Sequence, residues 1–281
     1  MDLIKLSLSV TNCYLFRNGK GWVLVDTGYE EDWQLFRRRL AFVGLQIAQI
    51  SHLILTHHHD DHVGFVGELV AENPAIAAAM SESTRELLLV GKNDQSYGGG
   101  LINRRVESLI GLKQLYVSLR TGKHQRKENN LHFRPYTARR DDIVFSGEPR
   151  LHDLGIELEG RILATPGHTV DSVSILFDDG DCMVGDAAAN MLRLAGTHNC
   201  VIFVTDLEQY YASWRKLIAA GAKRILPAHG RSFPVERLAH NVGRNRPENM
   251  RRIVAASALT HSTTSGEVTG VDIVNSQEAS K

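Results

Sequence analysis

The sequence lacks any apolar run approaching the about eighteen residues that a membrane-spanning helix needs. Its first residues, Met1-Asp2-Leu3-Ile4-Lys5, have neither a basic leader nor a small-residue cleavage site, so no secretory signal is read and a cytoplasmic location is expected. Excess charge is missing too. Lys plus Arg and Asp plus Glu both number 32, which removes any global electrostatic argument for a nucleic-acid or membrane partner. Cysteine is scarce and odd in number: Cys13, Cys182 and Cys200 lie in or beside apolar runs and read as small buried hydrophobes, not as a disulfide framework. What is left is 281 residues with 43% hydrophobic content, enough to bury a core in one large or two small domains.

Against that background the stretch Thr56-His57-His58-His59-Asp60-Asp61-His62 is unusual, because four of the thirteen histidines fall within residues 57–62. It follows Ser51-His-Leu-Ile-Leu55, which reads as a buried strand delivering its C-terminal end to a loop. Neutral imidazole and carboxylate are the ligands that zinc, iron or manganese accept, and a run this dense has few structural uses. In a locally extended loop, residues two apart point the same way. His57 and His59 could then grip one ion while Asp61 and His62 turn toward a second.

The spacing is His57-x-His59-x-Asp61-His62, and Thr56 through Gly64 resembles the signature of the metallo-β-lactamase superfamily. Four further landmarks of that family are matched in order: Leu24-Val25-Asp26-Thr27-Gly28, Thr165-Pro166-Gly167-His168-Thr169, Val184-Gly185-Asp186 and Pro227-Ala228-His229-Gly230. The resemblance implies that His57, His59 and His168 hold one metal, that Asp61, His62 and His229 hold another, and that Asp186 bridges them. It also makes Asp26 an acid that orients the histidine loop from behind the ligands. Two divalent ions, zinc first with iron or manganese as alternatives, would lie about 3.5–4 Å apart and share a hydroxide nucleophile. Asp61 or the second ion would then assist the leaving group.

The remaining pattern is read from its periodicity. Apolar runs at residues 4–8, 12–16 and 21–25 with an Asn18-Gly19 turn read as antiparallel strands, and Trp33, Phe36, Leu40 and Val43 place an amphipathic helix over 30–42. Residues 63–71 read as a helix and 75–80 as a strand, and Ser83-Thr-Arg-Glu86 has the form of a capping box before a helix. Leu101, Val106, Leu109, Leu112, Leu115 and Tyr116 suggest one buried helical face, and strands are expected at 150–154, 160–164, 172–177, 182–185 and 224–226. Asp206 with Gln209 should cap a helix running to Gly221. Strand, helix, strand and metal loop recur in both halves of the chain, which predicts two sheets packed face to face with helices outside. The expected class is α/β (α+β), and the resemblance makes it a four-layer αββα sandwich, one domain over 1–281. Residues 81–142 form a helical basic insertion and 261–281 a loose tail.

Between Leu101 and Arg140 ten Lys or Arg face only Glu107 and Glu128. This is either a solvated helix face or a lid that draws an anionic small-molecule substrate. His198, on a loop after Asp186, is a candidate substrate contact. No nucleic-acid or membrane partner is expected, and a homodimer is left open. The function expected is metal-dependent hydrolysis of a carboxylic ester, lactone or thioester. β-Lactam or phosphodiester hydrolysis on the same metals is the runner-up, and a redox di-iron protein or a non-catalytic binding module stands behind both.

Overall fold

Alternating residues on each strand serve two different cores, and this is what stacks the sheets. The computed structural model describes residues 2–19, 21–94, 96–121 and 131–252. In chain order these form β1 (Leu3–Ser7), β2 (Asn12–Asn18), β3 (Gly21–Val25), α1 (Trp33–Phe42), β4 (Ile50–Ile54), α2 (Asp60–Val63), α3 (Val66–Glu72), β5 (Ala77–Ser81) and α4 (Glu82–Leu88). Then come β6 (Gly100–Leu101), α5 (Arg104–Thr121), β7 (Ile143–Phe145), β8 (Gly160–Ala164), β9 (Val173–Phe177) and β10 (Asp181–Gly185). The second half closes with β11 (Phe203–Val204), α6 (Leu207–Ala219), β12 (Arg224–Pro227), β13 (Phe233–Pro234), α7 (Glu236–Asn241) and β14 (Arg251–Arg252).

One sheet has the order β1-β2-β3-β4-β5-β7 and the other β13-β12-β10-β9-β8. Tyr14, Phe16, Val23 and Val25 of the first meet Ile162, Val173, Ile175 and Met183 of the second in a core between the sheets. Their alternates Cys13, Leu15, Trp22 and Leu24 face outward onto Phe36 and Leu40 of α1 and Leu69 of α3. Outside the second sheet, Tyr210, Trp214 and Leu217 of α6 and Leu238 of α7 cover Cys182, Val184 and Ile225. Successive side chains leave a strand on opposite faces, so a strand buried on both must be apolar throughout, as β3 is. The result is the four-layer αββα sandwich. All three cysteines are buried and free.

Several local expectations need correction. Residues Leu151–Leu154 form a 3-10 turn, not a strand, because the backbone N–H of Arg150 donates to the Asp153 carboxylate and Gly155 ends the turn in the left-handed region. Helix α4 is capped two residues earlier than the Ser83 box, by the Ser81 hydroxyl accepting from the Thr84 N–H. Leu101 lies on β6, and α5 buries Val106 while leaving Leu109 and Leu112 exposed. That buried face follows Ile102, Val106 and Ile110 at four-residue steps. The side chains of Leu115 and Tyr116 and the tail at 261–281 lie outside the described residues. No described helix is long and apolar enough to cross a membrane.

Candidate metal centre

Four loops meet at one edge of the sandwich, after the C-terminal ends of β4, β8, β10 and β12. The sheets are tied together there: Val173 N–H, at the start of β9, donates to Thr56 O at 2.9 Å, and Asn12 N–H donates to Ala228 O at 2.7 Å. The loop after β4 is extended only as far as His59, and α2 then adds a single helical turn. That turn matters. A chain extended throughout would aim Asp61 the same way as His57 and His59, whereas the helical turn swings Asp61 and His62 to the other side of the cluster.

The expected ligands converge in three groups: His57, His59 and His168; His57, His62 and Asp186; and Asp61, His62 and His229, the ligand atoms of each lying within 4.8 Å of one another. Asp186 lies in the middle. Its Oδ2 is 3.4 Å from His168 Nε2, while its Oδ1 is 3.1 Å from His229 Nε2 and 3.5 Å from His62 Nε2. Asp61 Oδ2 is 3.2 Å from His229 Nε2.

The outer nitrogens of His57, His62, His168 and His229 are fixed from behind, which turns their other nitrogens inward. His62 Nδ1 donates to Asp26 Oδ2 at 2.9 Å. Thr56 Oγ1 gives its proton to the same oxygen and accepts from His57 Nδ1, so Asp26 orients two histidines. His168 Nδ1 donates to Phe203 O and His229 Nδ1 to Val10 O. Outer partners of this kind fix the tautomer and ring orientation of metal-binding histidines. Asp26 holds its place in the left-handed region, φ 59°, with the Thr56 N–H as a third donor. Gly185 makes room beside it. A Cβ at position 185 would sit 2.4 Å from Thr56 Oγ1, and the residue has φ 48°.

Burial and the neighbouring imidazoles hold His57 well below the ordinary histidine range. The same two causes lower His59, and burial lowers His168. On the other side burial also opposes charge, yet Asp61, Asp26 and Asp186 together raise His62, and Asp186 with Asp61 lifts His229 to about 10. Burial opposes the ionisation of Asp61 and Asp186 as well, but His62 and His229 outweigh it and hold both carboxyls below the usual range.

Three buried atoms of the cluster, His57 Nε2, His62 Nε2 and Asp186 Oδ1, have no hydrogen-bond partner. A buried polar atom left unpaired costs about 1–3 kcal/mol, so three pointing into one space mark a position for a group that is not protein. A divalent cation fits this donor set of imidazole and carboxylate, with lone pairs converging and charges of the correct sign. None of the cysteines contributes.

Other residues support the edge that sequence patterns did not single out. Thr11 Oγ1 donates to Asp61 Oδ2 at 3.2 Å, and Asn12 Nδ2 donates to Pro227 O and Gly230 O, clamping the His229 loop. His58 points away from the cluster, with Nδ1 donating to Asp171 Oδ1 and Nε2 accepting from the Asp94 N–H. Asp171 stands three residues after His168, a spacing that could have flagged it. Tyr29 has no such signal; its hydroxyl is held protonated by burial and then by the charge of Asp61, Asp60 and Asp186. His198 lines a separate surface cleft that contains none of the seven expected ligands.

Imidazoles and carboxylates gathered this way on the edge of a two-sheet sandwich make a candidate centre for divalent metal. The sequence profile of the metallo-beta-lactamase superfamily matches residues 6–229, and the chain belongs to that superfamily. It is 25% identical over 233 residues to Beta-lactamase-like protein 2 homolog of Drosophila melanogaster, covering 80% of this chain and 60% of that protein. Over 257 residues it is 25% identical to Probable metallo-hydrolase YqjP of Bacillus subtilis, covering 86% of this chain and 75% of that one. A metallo-beta-lactamase family protein of Thermus thermophilus has the same fold, with a TM-score of 0.55 at 18% identity over 85% of this chain and 77% of its own. The chain thus spans about 60% of the length of the Drosophila relative.

Proposed function

We propose that the centre holds two divalent cations, zinc first with iron or manganese as alternatives, and hydrolyses a carboxylic ester, lactone or thioester of a small molecule. The observation that carries this reading is the Asp186 carboxylate, one oxygen beside His168 and the other beside His229 and His62. A carboxylate placed so between two groups of imidazoles could serve as ligand on both sides, with the orphaned His57 Nε2 and His62 Nε2 as its complement. His57, His59 and His168 would hold one cation, and Asp61, His62 and His229 the other. Cations bound there supply Lewis-acid polarisation of the scissile oxygen and an attacking water of lowered pKa.

The chain's own residues do the rest. Asp26 keeps the lone pairs of His57 and His62 aimed inward, and Phe203 O and Val10 O do the same for His168 and His229. Asp61, steadied by the Thr11 hydroxyl, would serve as a ligand on the side from which the leaving group departs. An activated carbonyl needs little help with its leaving group, which favours esters, lactones and thioesters over phosphodiesters. β-Lactam hydrolysis is the second reading, supported by the names of relatives called lactamase-like.

The test is a hydrolysis screen over lactones, thioesters, cephalosporins and bis-nitrophenyl phosphate on one metal-analysed preparation, with His59→Ala as the control for contaminants. Carbonyl substrates should exceed the others by at least about tenfold in kcat/KM, a difference of about 1.4 kcal/mol in transition-state binding. Fastest turnover of cephalosporins or the phosphodiester, lost in His59→Ala, would reject the ester reading.

A further inference from the structure

The loop that leaves Asp186 runs through residues 187–199 and, with α7, encloses a surface cleft of about 680 Å³. Arg193, Arg237 and Arg244 line it with His198, His240 and Asn199, and no carboxylate among the described residues does. This is out of character for a chain with equal numbers of acids and bases. Several arginines elsewhere have acid partners: Arg134 meets Glu30 and Glu68, Arg139 meets Asp142, and Arg251 meets Glu107. Among the described residues, Arg193, Arg237 and Arg244 form no ion pair.

Arg237 is nevertheless held in place. Its guanidinium lies 4.8 Å from the centre of the Phe233 ring, and one nitrogen donates to Asn190 Oδ1 at 3.1 Å and Asn199 Oδ1 at 3.3 Å. These acceptors are neutral, so they orient the cation without cancelling its charge. Burial and the nearby charge of Arg193 lower the pKa of Arg237; burial and then Arg244 and Arg105 lower that of His198. Cations gathered with no counter-charge are costly unless a ligand supplies one.

The wall of the cleft is also under local constraint. Of the four non-glycine residues with positive φ among the described residues, three are Leu192 (47°), His198 (49°) and Asn199 (69°), and the fourth is Asp26 beside the metal cluster. Such conformations persist where surrounding structure enforces them, and they cluster at functional sites. Here the enforcement is visible. Asn103 Nδ2 bonds to Ala195 O and Gly196 O, Asn245 Nδ2 to Thr197 O, and Asn199 Nδ2 to Ala189 O.

We propose that this cleft is a second ligand site, separate from the metal centre, that takes the phosphate group of a small phosphate ester. Guanidinium forks match phosphate oxygens in pairs, and three of them with two imidazoles suit a doubly charged group better than a single carboxylate. The volume falls within the range of about 300–1,000 Å³ found for small-molecule sites, so the phosphate would arrive with an organic body attached.

The experiment is calorimetric titration of the metal-replete full chain with adenosine monophosphate, against adenosine as the uncharged control. Saturable binding of the monophosphate and none of adenosine is expected. Arg237→Gln combined with Arg244→Gln should weaken it at least about tenfold, since two charge-assisted contacts are lost, while His59→Ala should leave it within about twofold. Arg244→Gln alone, at an exposed position outside the core, should still weaken it several-fold if the double variant fails to fold. Absence of saturable binding, equal binding of adenosine, or loss in His59→Ala with retention in the arginine variants would each overturn the proposal.

Discussion

The metal centre sets histidines beside carboxylates and the cleft sets histidines beside arginines, so the two leave opposite kinds of charge unmatched. At the centre, histidines and carboxylates are buried, braced from outside by Asp26, Phe203 O and Val10 O, and left with orphaned atoms pointing inward. At the cleft, Arg237 is braced by neutral amides, and none of the three arginines forms an ion pair among the described residues. The first arrangement lacks a cation and the second an anion, so in a chain with no net charge the local imbalance indicates what each place binds. They differ in depth as well. Buried groups are little screened by solvent and exposed ones strongly, so disruption should cost far more at the metal centre than at the cleft.

The comparison can be broken most directly at Asp186. Asp186→Ala removes the carboxylate between the two groups of imidazoles and should release at least one cation per chain, with hydrolysis falling at least about a hundredfold. Elemental analysis of the purified variant is the check, and wild-type metal content would take Asp186 out of the centre. A smaller loss is expected from Asp26→Asn. Asparagine tolerates the left-handed backbone at this position, so the substitution isolates the carboxylate that orients His57 and His62. Metal affinity measured against a competing chelator should fall about 10- to 100-fold. Raising salt from low to physiological ionic strength should then separate the two places. Adenosine monophosphate binding at the cleft should weaken several-fold, as exposed charges are screened beyond about 8–10 Å, while metal content stays unchanged. Equal salt dependence at both would erase the distinction in depth.

Asp142 supplies an internal control, a charged site with no charge left over. Burial opposes its ionisation, but hydrogen bonds from Arg139, the Tyr136 hydroxyl and the N–H groups of Arg139 and Ala78 prevail and lower its pKa. A carboxyl depressed in the folded state stabilises above its unfolded value of about 3.9, and that contribution disappears as pH falls through the folded value. Asp142→Asn should therefore lower Tm by about 2–4 °C at pH 7 and converge on wild type under acid conditions. Neither added metal nor added phosphate ester should restore the difference.

These places were unequally legible in the sequence. The metal loop could be read because the chain concentrates His57, His59, Asp61 and His62 in six residues, and strand alternation revealed both sheets. What α2 does to that loop could not be read, since one helical turn of Asp-Asp-His-Val carries no periodicity. The basic run before Arg140 suggested an anion-attracting lid, yet Arg134 and Arg139 have acid partners from distant segments or nearby turns. The arginines of the cleft are spread over residues 193–244, where no spacing connects them. Pairing is decided by tertiary neighbours, so uncompensated charge becomes visible only after folding. His198 illustrates the same point: its place after Asp186 suggested contact with substrate, and the backbone turns it into the cleft.

Helix α6 has a consequence for how fast the centre could exchange its occupants. Ser213 Oγ donates to Pro166 O, Tyr210 OH to Asp186 O and Trp214 Nε1 to Ala187 O, so three core-facing side chains fasten the loops that carry His168 and Asp186. Those loops can detach only when the helix unpacks, an opening that approaches global unfolding in cost. The opposite side is held from one turn instead: Thr11 on Asp61, Val10 O on His229 and Asn12 on the His229 loop, and Val10 of this turn is exposed. Fraying of that turn is therefore the low-cost route out, and the residence time of a cation should follow the stability of residues 9–12 more closely than that of the molecule as a whole.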